Sequence, residues 1–474
     1  MKSIFISFLI CLSTNLFAQN NFSLVVDYYD LELSFDFNNS TLQGINKMKI
    51  INTSNDTIKQ IPILLYRLMK ADAINDENGN SLTFSQKVEQ FEDFPPLQAN
   101  HILINNTFYP NEIKHITIYY SGYLLGYEET GMNYVKDRIS PNFTIIRNDA
   151  YSYPIIGKPS ISFLRKNITS HYFNYELKVK VPDSLVVANG GNLISVSKQN
   201  GISEYEYISK SPSWRIDVAI SSRYKEMNYQ GLNIFYFEED SIAADLLLEN
   251  GIKAMNLYKS WWGELMNANS LTIIETEKNS GGQTDETTIL LPQEAFTEQD
   301  NYGYLYHELS HLWNVKVTEK EGLSPRWEEG LATFSQYIVE EKLNLEKANL
   351  TKSMSNRSLK RLKSNLERTP ELLNIPFIEF GNKQLTDYSY THGMIMFSVL
   401  YYWLGETKFN EVIKEFYQNH YKTGATTLDF TTIWEKYAQN KNLKKFFNDW
   451  MYGTKYTEFV LKDMGLDEII NHYR

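Results

Sequence analysis

Two histidines spaced four residues apart, His307 and His311, are the side chains of this 474-residue chain best suited to bind one metal ion together. Residues four apart on a helix lie on the same face, so both imidazoles can reach the same ion. Glu308 directly follows the first histidine, which predicts that its carboxylate lies beside the ion without binding it. A carboxylate in that place can take a proton from water and later give it to a leaving group. The motif therefore predicts metal-assisted hydrolysis.

A catalytic zinc ion usually has three protein ligands and one open position, so one further ligand is expected. We predict Glu329 as this ligand and keep Glu328 as the alternative. Neighbouring helical residues point about 100° apart, so only one of the two carboxylates can face the ion. Ser324–Pro325 predicts the start of the helix that carries them, with the proline at its first position. The expected cofactor is one Zn2+ ion.

The elements that must position these residues belong to the second half of the chain, where apolar residues repeat with the helical period of about 3.6. This half is predicted as a mostly helical catalytic domain over residues 226–474. Two short strands, at 271–276 and 287–291, are predicted between its first two helices. Gly281 and Gly282 separate these strands, which indicates a tight turn or a backbone that approaches another group closely.

The first half of the chain alternates apolar and polar residues with a period of two, which is typical of half-buried strands. The alternation is clearest at residues 31–37 and 173–181, and residues 116–120 and 214–220 are further candidate strands. We therefore predict an N-terminal antiparallel β-sandwich-like domain over residues 19–225. The fold class is α+β with more than one domain, because a chain of this length exceeds what one core usually supports.

The N-terminal residues have the features of a signal peptide. Lys2 supplies a positive charge, residues 4–12 form a short apolar run, and Ala18 offers a small residue for cleavage before Gln19. No later segment reaches the roughly 18 apolar residues that a transmembrane helix needs. We therefore expect residues 1–18 to be removed and the mature chain to be secreted or periplasmic, without an integral membrane segment.

The composition restricts the classes of partner. Hydrophobic residues make up 42% of the chain and no long low-complexity segment occurs, so a folded globular protein is predicted. The formal net charge of -11 is spread over both halves, which argues against nucleic acid or an anionic membrane surface as a partner. Neither charge nor composition indicates an oligomeric state.

The segments around the metal motif resemble the aminopeptidase N family of gluzincin zinc metallopeptidases. HELSHLWNV at 307–315, followed by RWEEGLATF at 326–334, is similar to the family's H-E-x-x-H and N-E-G-F-A motifs. Matched residue by residue, the two histidines and Glu329 correspond to the family's zinc ligands and Glu308 to its general base. The resemblance implies peptide substrates and hydrolysis of peptide bonds.

A second motif extends the resemblance. Tyr390 begins the segment YTHGM, which is similar to the family's Y-x-K-G-A, and the match implies that its hydroxyl stabilises the oxyanion of the tetrahedral intermediate. The resemblance runs from residues 30–33 to residues 443–453 and so covers nearly the whole mature chain. It implies an N-terminal β domain and a thermolysin-like catalytic domain, in a short form that lacks the large helical C-terminal domain of many relatives.

Three departures from the family pattern affect what the resemblance implies. Seventeen residues separate His311 from Glu329, one fewer than in the common pattern. The residues that follow His311, L-W-N-V-K at 312–316, are closer to the related glycyl aminopeptidase family. The third departure affects specificity: relatives carry G-x-M-E-N before the zinc helix, with a glutamate that binds the free amine of the substrate, and the aligned residue here is Thr284.

A buried ammonium group needs a carboxylate partner. Asp285 and Glu286 are the candidates if the loop is shifted by one or two residues relative to the family, and two solvated loop acids are the alternative. The backbone of Gly281 and Gly282, with the strand that follows, could pair with an extended substrate, as a sheet edge can. A plain hairpin turn is the other interpretation of the two glycines.

These observations together predict a zinc-dependent metallopeptidase that removes N-terminal residues from peptides. An endopeptidase of the same fold, which does not bind the free N-terminus, is the first alternative. A non-catalytic peptide-binding module is the second, and it would be expected to have a damaged set of zinc ligands, whereas all four metal and base positions are intact here.

Overall fold

The computed structural model describes residues 24–167, 171–266, 270–297, 302–319, 322–437 and 442–474. The predicted signal peptide, residues 1–18, lies outside these described residues. Within the described ranges, none of the helices combines the length and the apolar character needed to cross a membrane.

The first part of the chain consists mainly of β-strands. Their bounds are β1 Leu24–Asp36, β2 Thr41–Asn52, β3 Ile58–Tyr66, β4 Met69–Asp76, β5 Phe84–Gln90, β6 Gln98–Phe108, β7 Ile113–Tyr123, β8 Thr144–Ile146, β9 Ile155–Ile156, β10 Asn174–Pro182, β11 Val186–Ala188, β12 Asn192–Gln199, β13 Ile202–Ile208 and β14 Val218–Ser221. One helix, α1 (Ile161–Asn167), lies among them.

These strands form three sheets. The largest has the order β12-β13-β10-β1-β2-β7-β4, and smaller sheets have the orders β5-β6-β3-β9 and β11-β14-β8. Neighbouring strands are antiparallel except for β1 and β10, which run parallel. Leu31 and Leu33 of the largest sheet belong to one hydrophobic cluster with Ile61 and Ile63 of the second sheet. The two sheets therefore share a core, as predicted for a sandwich-like domain.

Of the four predicted strands in this half, three lie largely within β1, β7 and β10. The fourth, at 214–220, was predicted to begin too early, because β14 starts only at Val218. The backbone before it follows a local polar contact instead of a ladder: the Arg215 N–H donates to Ser213 Oγ at 3.0 Å, and that hydroxyl donates to the Arg215 carbonyl at 2.6 Å.

The second part of the chain opens with a sheet that supports the predicted site. Its strands are β15 Tyr224–Tyr229, β16 Leu232–Phe237, β17 Leu271–Thr276, β18 Gln283–Thr284 and β19 Thr288–Pro292. Their order is β15-β16-β17-β19-β18, so the two-residue strand β18 forms an edge and runs antiparallel to β19. Strands β17 and β19 are the two that the sequence predicted. The first strand of this sheet begins within two residues of the proposed domain boundary at 225, which stays a prediction.

Helices make up the rest of this part, so the fold is the predicted α+β arrangement of a β domain followed by a helical one. Their bounds are α2 Ser241–Trp262, α3 Glu294–Thr297, α4 Gly303–Ser310, α5 Trp327–Leu343, α6 Leu350–Arg368, α7 Ser389–Leu404, α8 Glu406–His420, α9 Thr427–Tyr437, α10 Leu443–Phe447, α11 Tyr456–Leu461 and α12 Leu466–Tyr473.

The start of α5 differs from the sequence-based prediction. The helix begins at Trp327, two residues after Pro325, because Arg326 adopts the left-handed conformation with φ of 58° and so interrupts the helical path. Glu329 is consequently the third residue of the helix and lies in its first turn.

A glycine pair allows α5 and α7 to cross closely. A Cβ atom added to Gly330 would lie 2.4 Å from Gly393 Cα, so neither helix can carry a side chain at the crossing. Glu329 directly precedes one of these glycines and Tyr390 lies three residues before the other. The crossing therefore brings the predicted third ligand and the predicted oxyanion donor to the same region.

Candidate active site

Helix α4, the turn that follows it and helix α5 bring the three predicted metal ligands together. Glu329 Oε2 lies 3.3 Å from His307 Nε2 and 3.4 Å from His311 Nε2. The three ligand atoms lie within 4.8 Å of one another, and no other group of this kind occurs among the described residues. A tetrahedral ion with bonds of about 2.0 to 2.1 Å holds its ligand atoms about 3.3 Å apart. The spacing of these three side chains therefore fits one zinc ion.

The electrostatics of this triad also favour a cation at its centre. Burial disfavours a charged Glu329, but Arg326 and His311 outweigh it and hold the pKa of this carboxyl well below its usual range. Burial likewise opposes protonation of His311, yet the Glu329 carboxylate overcomes this effect and raises the pKa of the imidazole to about 9. The triad thus combines a firmly ionised carboxylate with a surrounding field that favours positive charge at His311.

Neighbouring side chains orient two of the three ligands. The Asn314 side-chain amide lies against His311, with Nδ2 2.8 Å from His311 Nδ1. With this amide rotated by 180°, its oxygen accepts a hydrogen bond from Nδ1–H and leaves Nε2 free for the ion. The Arg326 guanidinium donates to Glu329 Oε1, the oxygen that faces away from the histidines. Neither partner was predicted from the sequence, because nothing in the motif spacing marks them.

Glu328, the alternative third ligand, does not join the triad. Its Oε2 atom is buried without a hydrogen-bond partner among the described residues, and its nearest cation is Arg326, with Nε 4.0 Å from Glu328 Oε1. The structure brings Glu329 to the two histidines and directs its neighbour elsewhere, as expected for adjacent residues on a helix.

Glu308, the predicted general base, contacts the edge strand β18. Thr284 Oγ1 lies 2.6 Å from Glu308 Oε2 and 3.0 Å from the main-chain oxygen of Glu308. On the same side, a Cβ atom added to Gly282 would lie 2.3 Å from Glu308 Oε1. The predicted close approach at this glycine is therefore an approach to the Glu308 carboxylate, which is 94% buried.

Tyr390, the predicted oxyanion donor, lies next to the triad at the start of α7. Its ring is nearly parallel to that of His307, with centroids 6.0 Å apart and planes inclined by 13°. Burial and the nearby Glu329 carboxylate raise the pKa of the Tyr390 hydroxyl above its ordinary value. The hydroxyl therefore keeps its proton at neutral pH and can donate a hydrogen bond.

The two acids proposed to bind a substrate amine have different hydrogen-bond partners. Asp285 is 7% exposed and accepts a hydrogen bond of 2.6 Å from Ser213 in the β domain. Glu286 is half-buried and accepts a hydrogen bond of 3.3 Å from the Tyr421 hydroxyl. Burial raises the pKa of each carboxyl to about 7. Thr284, and not either acid, is the residue of this segment that contacts Glu308.

Gly281, the other predicted backbone site, lines an open cleft. Its φ of 72° lies in the left-handed region, and a Cβ atom there would be 3.7 Å from Tyr134 Cβ in the β domain. The cleft has a volume of about 470 Å³. It is lined by Gly131, Asn133, Tyr134, Asn279, Gly281, Pro292, Glu294, Tyr304 and Asp387. Both halves of the chain thus form its walls.

Sequence reasoning missed a group of buried charges behind the edge strand. Arg147 and Arg215 are 1% and 2% exposed, and both donate to Gln283 Oε1, at 3.2 and 2.8 Å. Asp149 accepts a hydrogen bond of 2.9 Å from Gln283 Nε2. These residues come from three separate segments of the chain and share no motif, so only the fold reveals that they meet.

Comparisons with known proteins agree with this fold. Residues 278–450 match the Peptidase family M1 domain. The resemblance to the aminopeptidase N family of gluzincins is confirmed by this match, which includes the segment that carries the metal motif. The cofactor of this family is Zn2+, and His307, His311 and Glu329 form the group that could hold it.

Solved structures of M1 enzymes share the fold over nearly the whole chain. An M1 zinc metallopeptidase mutant from Deinococcus radiodurans, bound to a Tyr-Ser-Ala substrate, is 13% identical with a TM-score of 0.64, and the match covers 90% of this chain and 94% of that one. A two-domain M1 zinc metallopeptidase mutant bound to L-arginine is 14% identical with a TM-score of 0.62 and the same coverage. Yeast LTA4 hydrolase is 15% identical with a TM-score of 0.66, over 91% of this chain and 68% of that one. No curated protein sequence matches the chain.

Proposed function

We propose that this chain hydrolyses peptide bonds and releases residues from the N-termini of peptides. The observation that carries the proposal is the convergence of His307, His311 and Glu329 on one point, with Glu308 next to them in the sequence and held against the edge strand. A triad of two histidines and a glutamate with an adjacent carboxylate is the arrangement used for hydrolysis with activated water.

The reaction follows from the positions of the side chains. When bound by the triad, zinc polarises a peptide carbonyl and makes water more acidic. The Glu308 carboxylate takes a proton from the attacking water and later delivers it to the nitrogen of the leaving amine. The Tyr390 hydroxyl donates a hydrogen bond to the oxygen of the substrate carbonyl as negative charge develops there.

The N-terminal mode of cleavage is supported by the two-domain relatives, whose structures hold a Tyr-Ser-Ala substrate in one case and L-arginine in another. In this chain Glu286 is the better candidate to pair with a substrate ammonium, because it is half-buried, whereas the carboxylate of Asp285 is buried against Ser213. An ammonium ion that enters a partly buried site needs such a carboxylate partner.

Cleavage within chains is the second candidate function, and one observation favours it. Thr284 stands where relatives carry the glutamate that binds the amine, and its hydroxyl is engaged by Glu308. A threonine offers no negative charge to a free N-terminus. If no other acid replaces it, acetylated and free peptides would bind equally well.

A pool of peptides, each present with a free and with an acetylated N-terminus, separates the two candidates. Residues 19–474 and the Glu308→Gln variant are incubated with the pool and the products are measured by mass spectrometry. Stepwise loss of N-terminal residues from the free peptides alone is the expected result. Cleavage of both forms at internal bonds would establish the endopeptidase. If the wild-type protein cleaves no faster than the Glu308→Gln variant, the chain would be a non-catalytic peptide-binding module.

Export from the cytoplasm is part of the proposal. Its support is the sequence of the first residues, with Lys2, the apolar run at 4–12 and Ala18 before Gln19. Expression of the whole chain with its leader is expected to give a mature protein that begins at Gln19. N-terminal sequencing of the product from the medium or periplasm measures this, and an intact N-terminus in the cytoplasmic fraction would contradict it.

A further inference from the structure

The edge strand β18 presents its two faces to different parts of the molecule. Side chains alternate along a strand, so residues 282 and 284 point to one side and residue 283 to the other. Gly282 and Thr284 face Glu308, while Gln283 faces the β domain. One three-residue segment thus contacts both the predicted base and the first domain of the chain.

On the side of Glu308, the segment defines where the carboxylate can lie. The Thr284 hydroxyl donates to Glu308 Oε2 at 2.6 Å, a short distance that is typical of a hydrogen bond to a charged oxygen. The other oxygen, Oε1, occupies the space in which a side chain at position 282 would lie. A hydroxyl therefore holds one carboxylate oxygen, and the missing side chain of Gly282 leaves room for the other.

On the opposite side, the segment is anchored to buried charges of the β domain. Arg147 and Arg215 both donate to Gln283 Oε1. Each arginine has its own carboxylate partner, because Arg147 pairs with Asp137 at 2.8 Å and Arg215 with Asp217 at 2.6 Å. Such paired and nearly inaccessible guanidinium groups have little freedom to move, so they fix the Gln283 side chain and with it the strand.

We infer that Thr284 is a positioning residue for the general base and that the β domain fixes its position through Gln283. The inference rests on the proposed peptide-bond hydrolysis, in which Glu308 moves the proton. A glutamate side chain has three rotatable bonds, and a displacement of about 1 Å at a reacting group can lower the rate by about 100-fold. The threonine hydroxyl removes this freedom by its hydrogen bond to the carboxylate.

The test compares Thr284→Val, which removes the hydroxyl, with Thr284→Ser, which keeps it. We expect Thr284→Val to lower kcat by about 10- to 100-fold with KM changed less than about twofold, since the hydroxyl is bonded to Glu308. Thr284→Ser should recover kcat to within about threefold of wild type. Zinc content and Tm should be those of wild type in both variants.

A matched control is Thr287→Val. Thr287 belongs to the same segment, but its hydroxyl lies 3.4 Å from the Gly190 carbonyl and does not contact Glu308. This variant should keep the wild-type kcat. A Thr284→Val enzyme with unchanged kcat, or a Thr284→Ser enzyme as slow as the valine variant, would overturn the inference.

Gly282→Ala tests the other half of the arrangement. The added Cβ would lie 2.3 to 3.1 Å from Oε1, Cδ and Cγ of the Glu308 side chain, which can rotate away, so folding should be preserved while Glu308 is displaced. We expect the same fall in kcat at unchanged Tm. Crystal structures of Gly282→Ala, Thr284→Val and wild type measure the displacement without any substrate. An inactive wild-type enzyme would contradict the proposed function alone, whereas an unmoved Glu308 in both variants would contradict the positioning role.

Discussion

At the scale of single residues, the candidate site combines groups that the sequence could reveal with groups that it could not. The spacing of His307, Glu308 and His311 is set by the helix, so one turn of sequence was sufficient to predict how they are arranged. Arg326 acts on Glu329 from just before the same helix, in a left-handed conformation that the sequence does not reveal. Thr284 acts on Glu308 from another element, so its position depends on the tertiary fold and no local pattern in the chain encodes it.

Replacement of Tyr390 by phenylalanine tests its proposed role as oxyanion donor. Loss of one donor of this kind typically lowers kcat by about 10² to 10³-fold, and we expect this fall with zinc content unchanged. Tyr388→Phe is the matched control, because that hydroxyl is 3.5 Å from Thr369 Oγ1 on the other side of the helix start. Equal kcat values for wild type and the Tyr390 variant, measured at saturating substrate, would refute the role.

His392 should make the stability of the fold depend on pH. It is fully buried, its Nε2–H donates to the Trp450 carbonyl at 2.8 Å, and burial lowers its pKa from 6.5 to about 4. A histidine with a lowered pKa in the folded state takes up its proton more readily when unfolded. Its contribution is therefore complete above about pH 6.5 and is lost as the pH falls towards 4, by about 1.4 kcal/mol per pH unit.

Urea unfolding at pH 7.5 and 5.0 measures this effect. Wild type should lose about 2 kcal/mol more stability between these values than His392→Phe, which keeps the stacking against Phe377 but cannot take up a proton. Replacement of the exposed His115 by glutamine should leave the pH dependence as in wild type. Parallel pH dependence in wild type and His392→Phe would exclude the buried imidazole as the cause.

At the scale of elements, periodicity revealed the main strands and helices but not the contacts that align them. Strand β18 has only two residues, too few to show a period, so it was not predicted although it holds Glu308. The start of α5 was misplaced because Arg326 adopts a left-handed conformation that the Ser-Pro signal does not encode. Gly330 and Gly393 each belong to one of the two family-like motifs, but the sequence did not predict that they meet. Their steric role is a property of the helix crossing.

Gly330→Ala tests this crossing. A Cβ atom there would lie 2.4 Å from the Gly393 Cα, and main-chain atoms cannot move aside as a side-chain tip can. We expect the helices to separate, at a cost of about 1 to 3 kcal/mol in unfolding free energy, and Glu329 to move away from the histidines. Zinc retention during dialysis against a chelator should fall together with the urea midpoint.

Gly465→Ala serves as the control for that variant. The nearest atoms to its added Cβ would be 3.6 Å away, which is an ordinary contact. It should keep both the zinc retention and the midpoint of wild type. A Gly330→Ala protein that retains zinc as well as this control does would show that the crossing tolerates a wider separation than the contact distance implies.

At the scale of the whole molecule, the two parts of the chain meet at the edge strand β18. Gln283 belongs to the catalytic sheet, whereas Arg147, Asp149 and Arg215 lie in the β domain. The alternation of polar and apolar residues predicted this domain and its place in the chain, and the family resemblance implied the same layout. Its function was not predicted, because buried charges with partners about 70 to 140 residues away leave no signature in a sequence.

Gln283→Met should affect both stability and catalysis. The side chain keeps its length but loses its hydrogen bonds, so two buried guanidinium groups lose an acceptor, with an expected cost of about 1 to 3 kcal/mol. We also expect a fall in kcat similar to that of Thr284→Val. Gln60→Met is the control, since that exposed amide contacts only Asn105 at 2.9 Å among the described hydrogen bonds. A Gln283→Met enzyme that is destabilised but has the wild-type kcat would show that Gln283 contributes to stability and does not position Glu308.

The contacts of strand β18 with both domains limit how the domains of such proteins can be recombined. A catalytic half joined to the β domain of one of the structurally similar M1 proteins would keep its three metal ligands, since all of them lie on α4, the turn after it and α5. It would lose the anchor of Gln283 unless the new domain supplied two arginines at the same place. The unit that can be exchanged as one piece, in nature or in a chimera, is therefore the pair of domains together.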